Sequence, residues 1–201
     1  VVNITAADIA AGAATVTGLT PETEYTAVMA RANGKTRGKI SFKTGVFLEE
    51  TDILIKAGSD ITAAINNAPE GYRLVVEPGT YGIASESAEQ GGAIAITKQL
   101  TIKGLRQNEH PVIMGRFKVE APFALDQVTI DGTGTDGGQA FDFTADGTIE
   151  SFSVTNSEVK NFTKGFFYLN KATLVNTITI EGNIISNIEC SGGDFLDSRK
   201  G

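Results

Sequence analysis

The chain from about residue 94 onward repeats one alternation of apolar and polar residues. Four segments share it, at 100–104, 128–132, 152–156 and 178–182, and their starts are 28, 24 and 26 residues apart. Residues two apart in a strand share a face, so the pattern predicts two inward apolar columns and one outward hydroxyl column. The inward columns are Leu100, Val128, Phe152 and Ile178, and Ile102, Ile130, Val154 and Ile180; the outward column is Thr101, Thr129, Ser153 and Thr179.

Two further sets of residues recur with a similar spacing. A third inward ladder is predicted from apolar pairs that precede the segments above, and Asn161 and Asn187 recur 26 residues apart behind Val159 and Ile185. Asparagine tolerates a left-handed backbone, so the recurring Asn predicts a stacked corner between strands. The members of the third ladder are Ile94/Ile96, Phe117/Val119, Phe141/Phe143, Phe167/Leu169 and Phe195.

Short strands in coils of 24–28 residues, with no helix between them, predict a parallel β-helix. An antiparallel sandwich also has short strands and turns, but it does not predict columns aligned at a fixed period. Residues 60–69 form the clearest helix, with Asp60 as its N-cap. We expect this helix to close the N-terminal end of the solenoid, because terminal repeats need a cap. Its apolar face is Ile61, Ala64, Ile65 and Ala68.

The first 45 residues have a different character. An alternating strand at 25–31 leads to Asn33-Gly34, which predicts a two-residue hairpin turn, and the chain returns at 39–44. We therefore place a domain boundary near Gly45, with a β segment at 1–45 and the β-helix at 46–201.

Composition excludes several classes of function. The net charge is −7, which argues against nucleic acid as a partner. One Cys and one His cannot supply a disulfide framework or a metal site made of Cys or His. No run of about 18 apolar residues occurs, so no transmembrane helix is predicted.

Residues 60–81, which run from the capping helix to Pro78-Gly79-Thr80-Tyr81, resemble the opening of pectate-lyase-like right-handed parallel β-helix proteins. The resemblance covers about residues 52–200 and implies the fold more than an activity. Residues 18–25, Gly-Leu-Thr-Pro-Glu-Thr-Glu-Tyr, resemble the late part of a fibronectin type III module, in which the Tyr hydroxyl anchors a corner. Together they resemble cell-surface glycan-utilisation proteins of Bacteroidetes, which implies an extracellular or cell-surface location.

Two outward faces of the predicted solenoid carry charged side chains. One holds Lys118, Asp142 and Tyr168 on successive coils, where Lys118 and Asp142 are close enough to pair and Tyr168 could stack on a sugar ring. The other is predicted to hold Lys103, Asp131, Thr155 and Glu181. Asp131 and Glu181 would lie two coils apart, about 10 Å, which is too far to share one ion.

The segment 194–200 holds the remaining charged cluster. If Phe195 continues the inward column, Asp197 falls at a buried position and needs a partner, which Arg199 could supply. Asp194 and Arg199 are therefore added to the carbohydrate-binding candidates, with Arg199 as a clamp for a substrate carboxylate or as half of a structural ion pair. The loop 131–138 could wrap calcium or be a simple turn.

Three functions remain open for this sequence. The first is a cell-surface or secreted β-helix that binds or handles polysaccharide. The second is a polysaccharide lyase that acts on uronates by β-elimination, which in pectate-lyase-like enzymes often uses calcium; otherwise no cofactor or metal is predicted. The third is a structural or adhesive solenoid. No catalytic motif maps onto the chain residue by residue, so enzymatic activity stays undecided. We expect the natural protein to extend beyond Gly201, since no capping segment closes the last coil.

Overall fold

The computed structural model describes residues 2–83, 92–135 and 137–199. The chain divides into two compact units, Val1–Glu49 and Glu50–Gly201. It is mostly β, with 46% strand and 7% helix. No helix among the described residues is long and apolar enough to cross a membrane.

The first unit contains helix α1 (Ala6–Ala11) and a hairpin of strands β1 (Glu24–Ala30) and β2 (Thr36–Lys43). Helix α1 is short and exposed, and its pattern of apolar and polar residues is too weak to predict a helix from the sequence. It begins at Thr5, whose Oγ1 accepts a hydrogen bond from Asp8 N, while Asp8 accepts one from Thr5 N. This reciprocal capping box supplies the local stabilisation that a six-residue helix needs.

The predicted anchor of the corner before β1 is confirmed. The hydroxyl oxygen of Tyr25 accepts a hydrogen bond from Thr20 N at 2.9 Å, and this bond lowers the pKa of the phenol. Tyr25 also packs against Phe42 of β2, with ring centroids 6.1 Å apart.

The prediction of a two-residue turn at Asn33-Gly34 is wrong. Gly34 N donates to Arg31 O and Arg31 N donates to Lys35 O, so Ala32, Asn33 and Gly34 form a three-residue loop. Within residues 31–35, all described, only Gly34 has a positive φ, at 78°. A two-residue type I′ turn needs positive φ at both central positions, whereas a three-residue loop needs it only at the last.

The second unit is a parallel β-helix of about 4 turns. Helix α2 spans Ile61–Asn67. The strands, in chain order, are β3 (Asp52–Ile55), β4 (Arg73–Val76), β5 (Thr80–Gly82), β6 (Ala93–Ile96), β7 (Leu100–Gly104), β8 (Val112–Met114), β9 (Arg116–Val119), β10 (Phe123–Asp126), β11 (Thr129–Asp131), β12 (Phe141–Phe143), β13 (Gly147–Thr155), β14 (Glu158–Phe162), β15 (Phe167–Leu169), β16 (Thr173–Glu181), β17 (Ile184–Ile188) and β18 (Leu196–Asp197).

Three parallel sheets form the walls of the solenoid. Sheet S1 has the order β16-β13-β10-β7-β4-β3, sheet S2 the order β17-β14-β11-β8-β5, and sheet S3 the order β18-β15-β12-β9-β6. From the coil that holds β7 to the coil that holds β18, each coil contributes one strand to each sheet. Side chains that occupy equal positions on successive coils therefore lie about 4.8 Å apart along the axis.

The third predicted ladder is confirmed in S3 up to Leu169. Phe117 pairs in register with Ile94 and Phe141, and Phe167 follows Phe141. All of these residues are buried, and the ring of Phe141 contacts those of Phe117 in S3 and Phe152 in S1. Phe195 does not continue the ladder, because Leu196 is the residue that pairs with Phe167 and Phe195 is 39% exposed.

The predicted columns in S1 are wrong at one coil. Phe123 and Leu125 of β10 pair with Leu100 and Ile102. They therefore occupy the column positions that the sequence assigned to Val128 and Ile130. Val128 and Ile130 are buried, but in S2: Val128 directly precedes β11, and Ile130 lies within it. Thr129 is therefore not outward on S1: it is 5% exposed in S2.

The other members of the predicted columns lie where expected. Phe152 and Val154 pair with Ile178 and Ile180 in S1. Ile178 and Ile180 are 42% and 39% exposed because β16 is an edge strand, so one side of each lacks a neighbour in the described sheet.

Helix α2 covers the core as predicted. Asp60 caps it, with Oδ1 accepting a hydrogen bond from Ala63 N at 2.9 Å. Ile61, Ile65 and Ala68 are buried in the same cluster as the first strands of the solenoid. Tyr81, the last residue of the Pro-Gly-Thr-Tyr motif, is buried and donates its hydroxyl proton to Glu77 O at 2.7 Å.

Left-handed residues form the corners of the coils. Gln127, Asn156 and Gly182 have φ of 58°, 48° and 67° at the two-residue corner between S1 and S2. The predicted stacking of Asn161 and Asn187 is confirmed: their φ values are 63° and 52°, and Asn187 Nδ2 donates to Asn161 Oδ1 at 2.7 Å. Their predicted place between strands is wrong, because they lie within β14 and β17, one residue before the end of each strand. Such a ladder ties neighbouring coils together through side chains as well as backbone.

Candidate functional site

The outer face of sheet S3 brings together the three residues that the sequence predicted there. Asp142 of β12 pairs in register with Lys118 of β9 on one side and with Tyr168 of β15 on the other. Asp197 of β18 follows Tyr168. Four polar or aromatic side chains therefore form one row along the solenoid axis, which we call the S3 row: Lys118, Asp142, Tyr168 and Asp197.

The carboxyl group of Asp142 is largely buried and has one oxygen without a hydrogen-bond partner among the described residues. Its side chain is 13% exposed, and Oδ1 is the buried side-chain oxygen for which no hydrogen-bond partner lies among the described residues. Burial raises the pKa of Asp142, against the opposing effects of Arg116, Asn170, Lys118 and Lys164. A carboxyl group in this position favours its neutral form more than an ordinary aspartate does.

Arg116 replaces Lys118 as the ion-pair partner of Asp142. The closest Arg116 nitrogen is 3.9 Å from Asp142 Oδ2, whereas the predicted pair of Lys118 with Asp142 does not form. Arg116 lies two residues before Lys118 on β9, so both point outward. Gly138 covers the guanidinium so closely that a Cβ there would lie 2.4 Å from Arg116 Cζ.

Lys118 and Lys164 bring further positive charge to Asp142. Lys118 is half-buried and Lys164 is exposed. Among the described residues, neither ammonium group has an ion-pair or hydrogen-bond partner. This part of a chain with net charge −7 is therefore locally basic.

Tyr168 is the aromatic side chain of the S3 row, and it is partly exposed. Phe195 lies elsewhere: it stacks on buried Phe166 with ring centroids 5.5 Å apart, and Phe166 contacts Phe141 in the core. Phe195 therefore packs at the end of the core, where 39% of it is exposed. The partly exposed ring of Tyr168 offers an apolar face to a ligand.

Asp197 is buried and held by Arg199, as the sequence predicted for a carboxylate at that position. It is 3% exposed, Arg199 Nε lies 2.9 Å from Asp197 Oδ1, and Arg199 NH2 contacts Oδ2. This contact raises the pKa of the guanidinium further. The register differs from the prediction, since Asp197 aligns with Tyr168 and not with Leu169. Asp194 is exposed nearby.

The charged row of S1 contains a residue that sequence reasoning missed. Asp126, not Asp131, pairs in register with Lys103 and Thr155, and Glu181 follows Thr155. Lys103 Nζ lies 3.2 Å from Asp126 Oδ2. Burial raises the pKa of Asp126, but hydrogen bonds from Asn156 and Thr155 and the charge of Lys103 outweigh it and lower the pKa. These bonds give Asp126 a structural role.

Asp131 lies on S2, so its predicted place beside Glu181 on one face is wrong. Its Oδ1 accepts hydrogen bonds from Thr133 N, Thr133 Oγ1 and Asn161 Nδ2, all between 2.6 and 2.9 Å. This carboxylate holds the first residues of the loop 131–138 in place. Asp136 of the same loop lies outside the described residues. No group of three acidic, His or Cys side chains suited to a metal ion occurs among the residues that the structure describes.

The remaining site residues that the sequence did not single out are Arg116, Lys164 and Asn170. Arg116 could have been found, because it is two residues from Lys118 on a predicted strand. Lys164 follows β14, in the connection to β15, where strand periodicity gives no position. Asn170 follows directly after β15.

Comparisons with known proteins give a family and no activity. No curated protein and no solved structure matches the chain. One family model matches residues 79–201, which include β5 to β18 and the whole S3 row. The chain therefore belongs to the family described as Domain of unknown function (DUF4957).

Proposed function

We propose that this protein binds polysaccharide along the outer face of sheet S3. The observation that carries the proposal is the register of the S3 row, which sets Tyr168 beside Asp142 and two coils from Lys118. A polysaccharide is a linear ligand, and a row with one side chain per coil offers contacts at regular intervals along it.

The chemistry of the row suits a sugar chain. The ring of Tyr168 can pack against the apolar face of a sugar ring. Hydroxyl groups of the sugar can bond to the Lys118 ammonium and to the polar groups around Asp142. Rigid parallel strands hold these side chains in place, which reduces the entropy lost on binding.

The experiment is affinity electrophoresis in gels that contain pectin, alginate, chondroitin sulfate, xylan or dextran. We expect at least one polymer to retard the protein and Tyr168→Ala to weaken this about tenfold or more. Tyr168→Phe keeps the ring and should retain most of the binding. Tyr72→Ala is the matched control, because Tyr72 is a half-buried tyrosine outside the S3 row. Equal retardation of Tyr168→Ala and wild type would refute the proposed site.

A second candidate function is β-elimination on a uronate polymer, which the ammonium groups of Lys118 and Lys164 favour. The Lys118 amine would remove the proton next to the uronate carboxylate, while Lys164 neutralises that carboxylate. The bond to the glycosidic oxygen then breaks, a carbon–carbon double bond forms, and the Tyr168 hydroxyl protonates the leaving oxygen. The proton on Lys118 returns to water and thence to Tyr168. This reaction is tested by the ultraviolet absorbance of the new double bond and by its loss in Lys118→Ala.

We further propose a pectate-lyase-like ancestry for the solenoid and a fibronectin type III-like one for the first unit, with an extracellular or cell-surface location. The capped helix α2, the Tyr81 hydrogen bond and the Tyr25 anchor support these relationships. Immunodetection on intact and lysed cells of the source organism tests the location, since a surface protein is detected without lysis.

A further inference from the structure

The surroundings of Asp142 suggest how the proposed site is regulated. Three cationic side chains act on one carboxyl group: Arg116 and Lys118 from β9, and Lys164 from the connection between β14 and β15. The other polar side chains beside it are Tyr168 and Asn170. Within the described ranges, no second carboxylate is among the groups that act on Asp142.

The pairing between Asp142 and these cations is loose. The Arg116 contact is 3.9 Å long, and Oδ1 of Asp142 has no hydrogen-bond partner among the described residues. Neither Lys118 nor Lys164 forms an ion pair within the described part of the chain. The carboxylate therefore offsets positive charge through space and does not tie either lysine down with a direct bond.

A ligand that carries an anionic group has to compete with this carboxylate. Sulfate and carboxylate groups are both attracted by Lys118 and Lys164, but an ionised Asp142, on which both lysines act, repels such a group and reduces the net charge of the cluster. A protonated Asp142 exerts no such repulsion. By linkage, an anionic ligand in turn favours protonation of Asp142.

We propose that Asp142 makes binding of anionic ligands on the S3 row dependent on acid, because the ionised carboxylate competes with the ligand for Lys118 and Lys164. This inference rests on the proposed function, since it concerns the same site. The raised pKa of Asp142 moves the change to a milder pH than an ordinary aspartate allows.

The test uses dextran sulfate, whose charge does not change over the pH range, and dextran as its neutral counterpart. Binding of the full chain is measured by calorimetry at about pH 8 and about pH 5. We expect dextran sulfate to bind wild type more tightly at the lower pH and Asp142→Asn to bind it about tenfold more tightly than wild type at the higher pH. The variant should lose most of the pH dependence, and dextran should show none of these effects.

Glu70→Gln is the matched control, because it removes one negative charge from an exposed position outside the S3 row. A gain in Glu70→Gln equal to that in Asp142→Asn would overturn the inference in favour of a general charge effect. Unchanged binding in Asp142→Asn would also overturn it, while binding of the neutral polymers through Tyr168 would leave the proposed function standing. Polygalacturonate replaces dextran sulfate in a second series and shows whether carboxylate ligands follow the same rule.

If no polymer of the electrophoresis panel and none in either series binds wild type, the proposed function fails. The inference then survives only if Asp142→Asn binds dextran sulfate and Glu70→Gln does not, and it fails otherwise.

Discussion

Asp142 and Arg116 face each other on neighbouring strands with 3.9 Å between Oδ2 and the nearest guanidinium nitrogen, a contact too long for a hydrogen bond. Their backbones are placed by the pairing of β12 with β9, two strands whose inward residues fill the core. The structure thus fixes a carboxylate in a largely buried position in which one oxygen, Oδ1, has no hydrogen-bond partner among the described residues to compensate for its burial.

Replacing Asp142 by Asn should stabilise the fold at neutral pH. The folded-state pKa of Asp142 is raised, so the ionised form is penalised in the folded chain and this penalty appears as pH rises through that pKa. We expect a gain of about 1 kcal/mol at neutral pH in urea unfolding. The gain should vanish below the unfolded pKa of aspartate, where Asp142 is protonated in both the folded and the unfolded state. Glu70→Gln is the control and should change stability by less than about 0.5 kcal/mol. A loss of stability at neutral pH would show that pairing with Arg116 outweighs burial.

The stacked asparagines of β14 and β17, near the end of each strand, give a second prediction. Asn161 has a φ of 63° and bonds through its side chain to Asp131, Thr133 and Asn187. Asn161→Ala keeps the unfavourable backbone conformation and loses these bonds, so we expect a loss of about 2 kcal/mol in the free energy of unfolding. Asn161→Gly removes the backbone strain but still loses the hydrogen bonds, so its free energy of unfolding should lie between those of the wild type and Asn161→Ala. Asn176→Ala, at an exposed position on β16, is the control and should cost less than about 0.5 kcal/mol.

Close stacking of coils gives a third prediction, at Gly104. A Cβ at this position would lie 2.0 Å from the carbonyl oxygen of Gln127 on the next coil, which is backbone and cannot rotate away. We expect Gly104→Ala to cost about 3 kcal/mol, because the two coils must separate locally. Gly193→Ala is the control: a Cβ there would meet nothing within 4 Å. Equal stability of the two variants in urea would mean that the coils are not packed as described.

The sequence was sufficient to predict sheet S3 because its ladder has no competitor. Ile94, Phe117, Phe141 and Phe167 are spaced at 23, 24 and 26 residues, and large side chains leave little choice of register. The positions of the outward residues between them follow from the alternation alone. Lys118, Asp142 and Tyr168 therefore lie in one row, as the sequence predicts.

Sheet S1 could not be predicted as well, for a physical reason. The segment 128–132 imitates 100–104 more closely than 123–126 does, since 100–104 and 128–132 both end in a charged residue and glycine. The corner after Asp126 has only two residues, Gln127 and Val128, so no glycine or proline separates β10 from β11 in the sequence. Only hydrogen bonding between coils decides which strand joins which sheet, and this pairing places Asp126 beside Lys103.

Hydroxyl-radical footprinting tests the central claim, that polysaccharide binds the S3 row, most directly. The protein is oxidised with and without each polymer of the electrophoresis panel, and protection is measured at Tyr168. Tyr72 and Phe42 are internal references away from the row. The account predicts protection of Tyr168 by any polymer that retards the protein, with no change at Tyr72. Protection confined to Tyr72 or Phe42, or retardation with no protection of Tyr168, would contradict it.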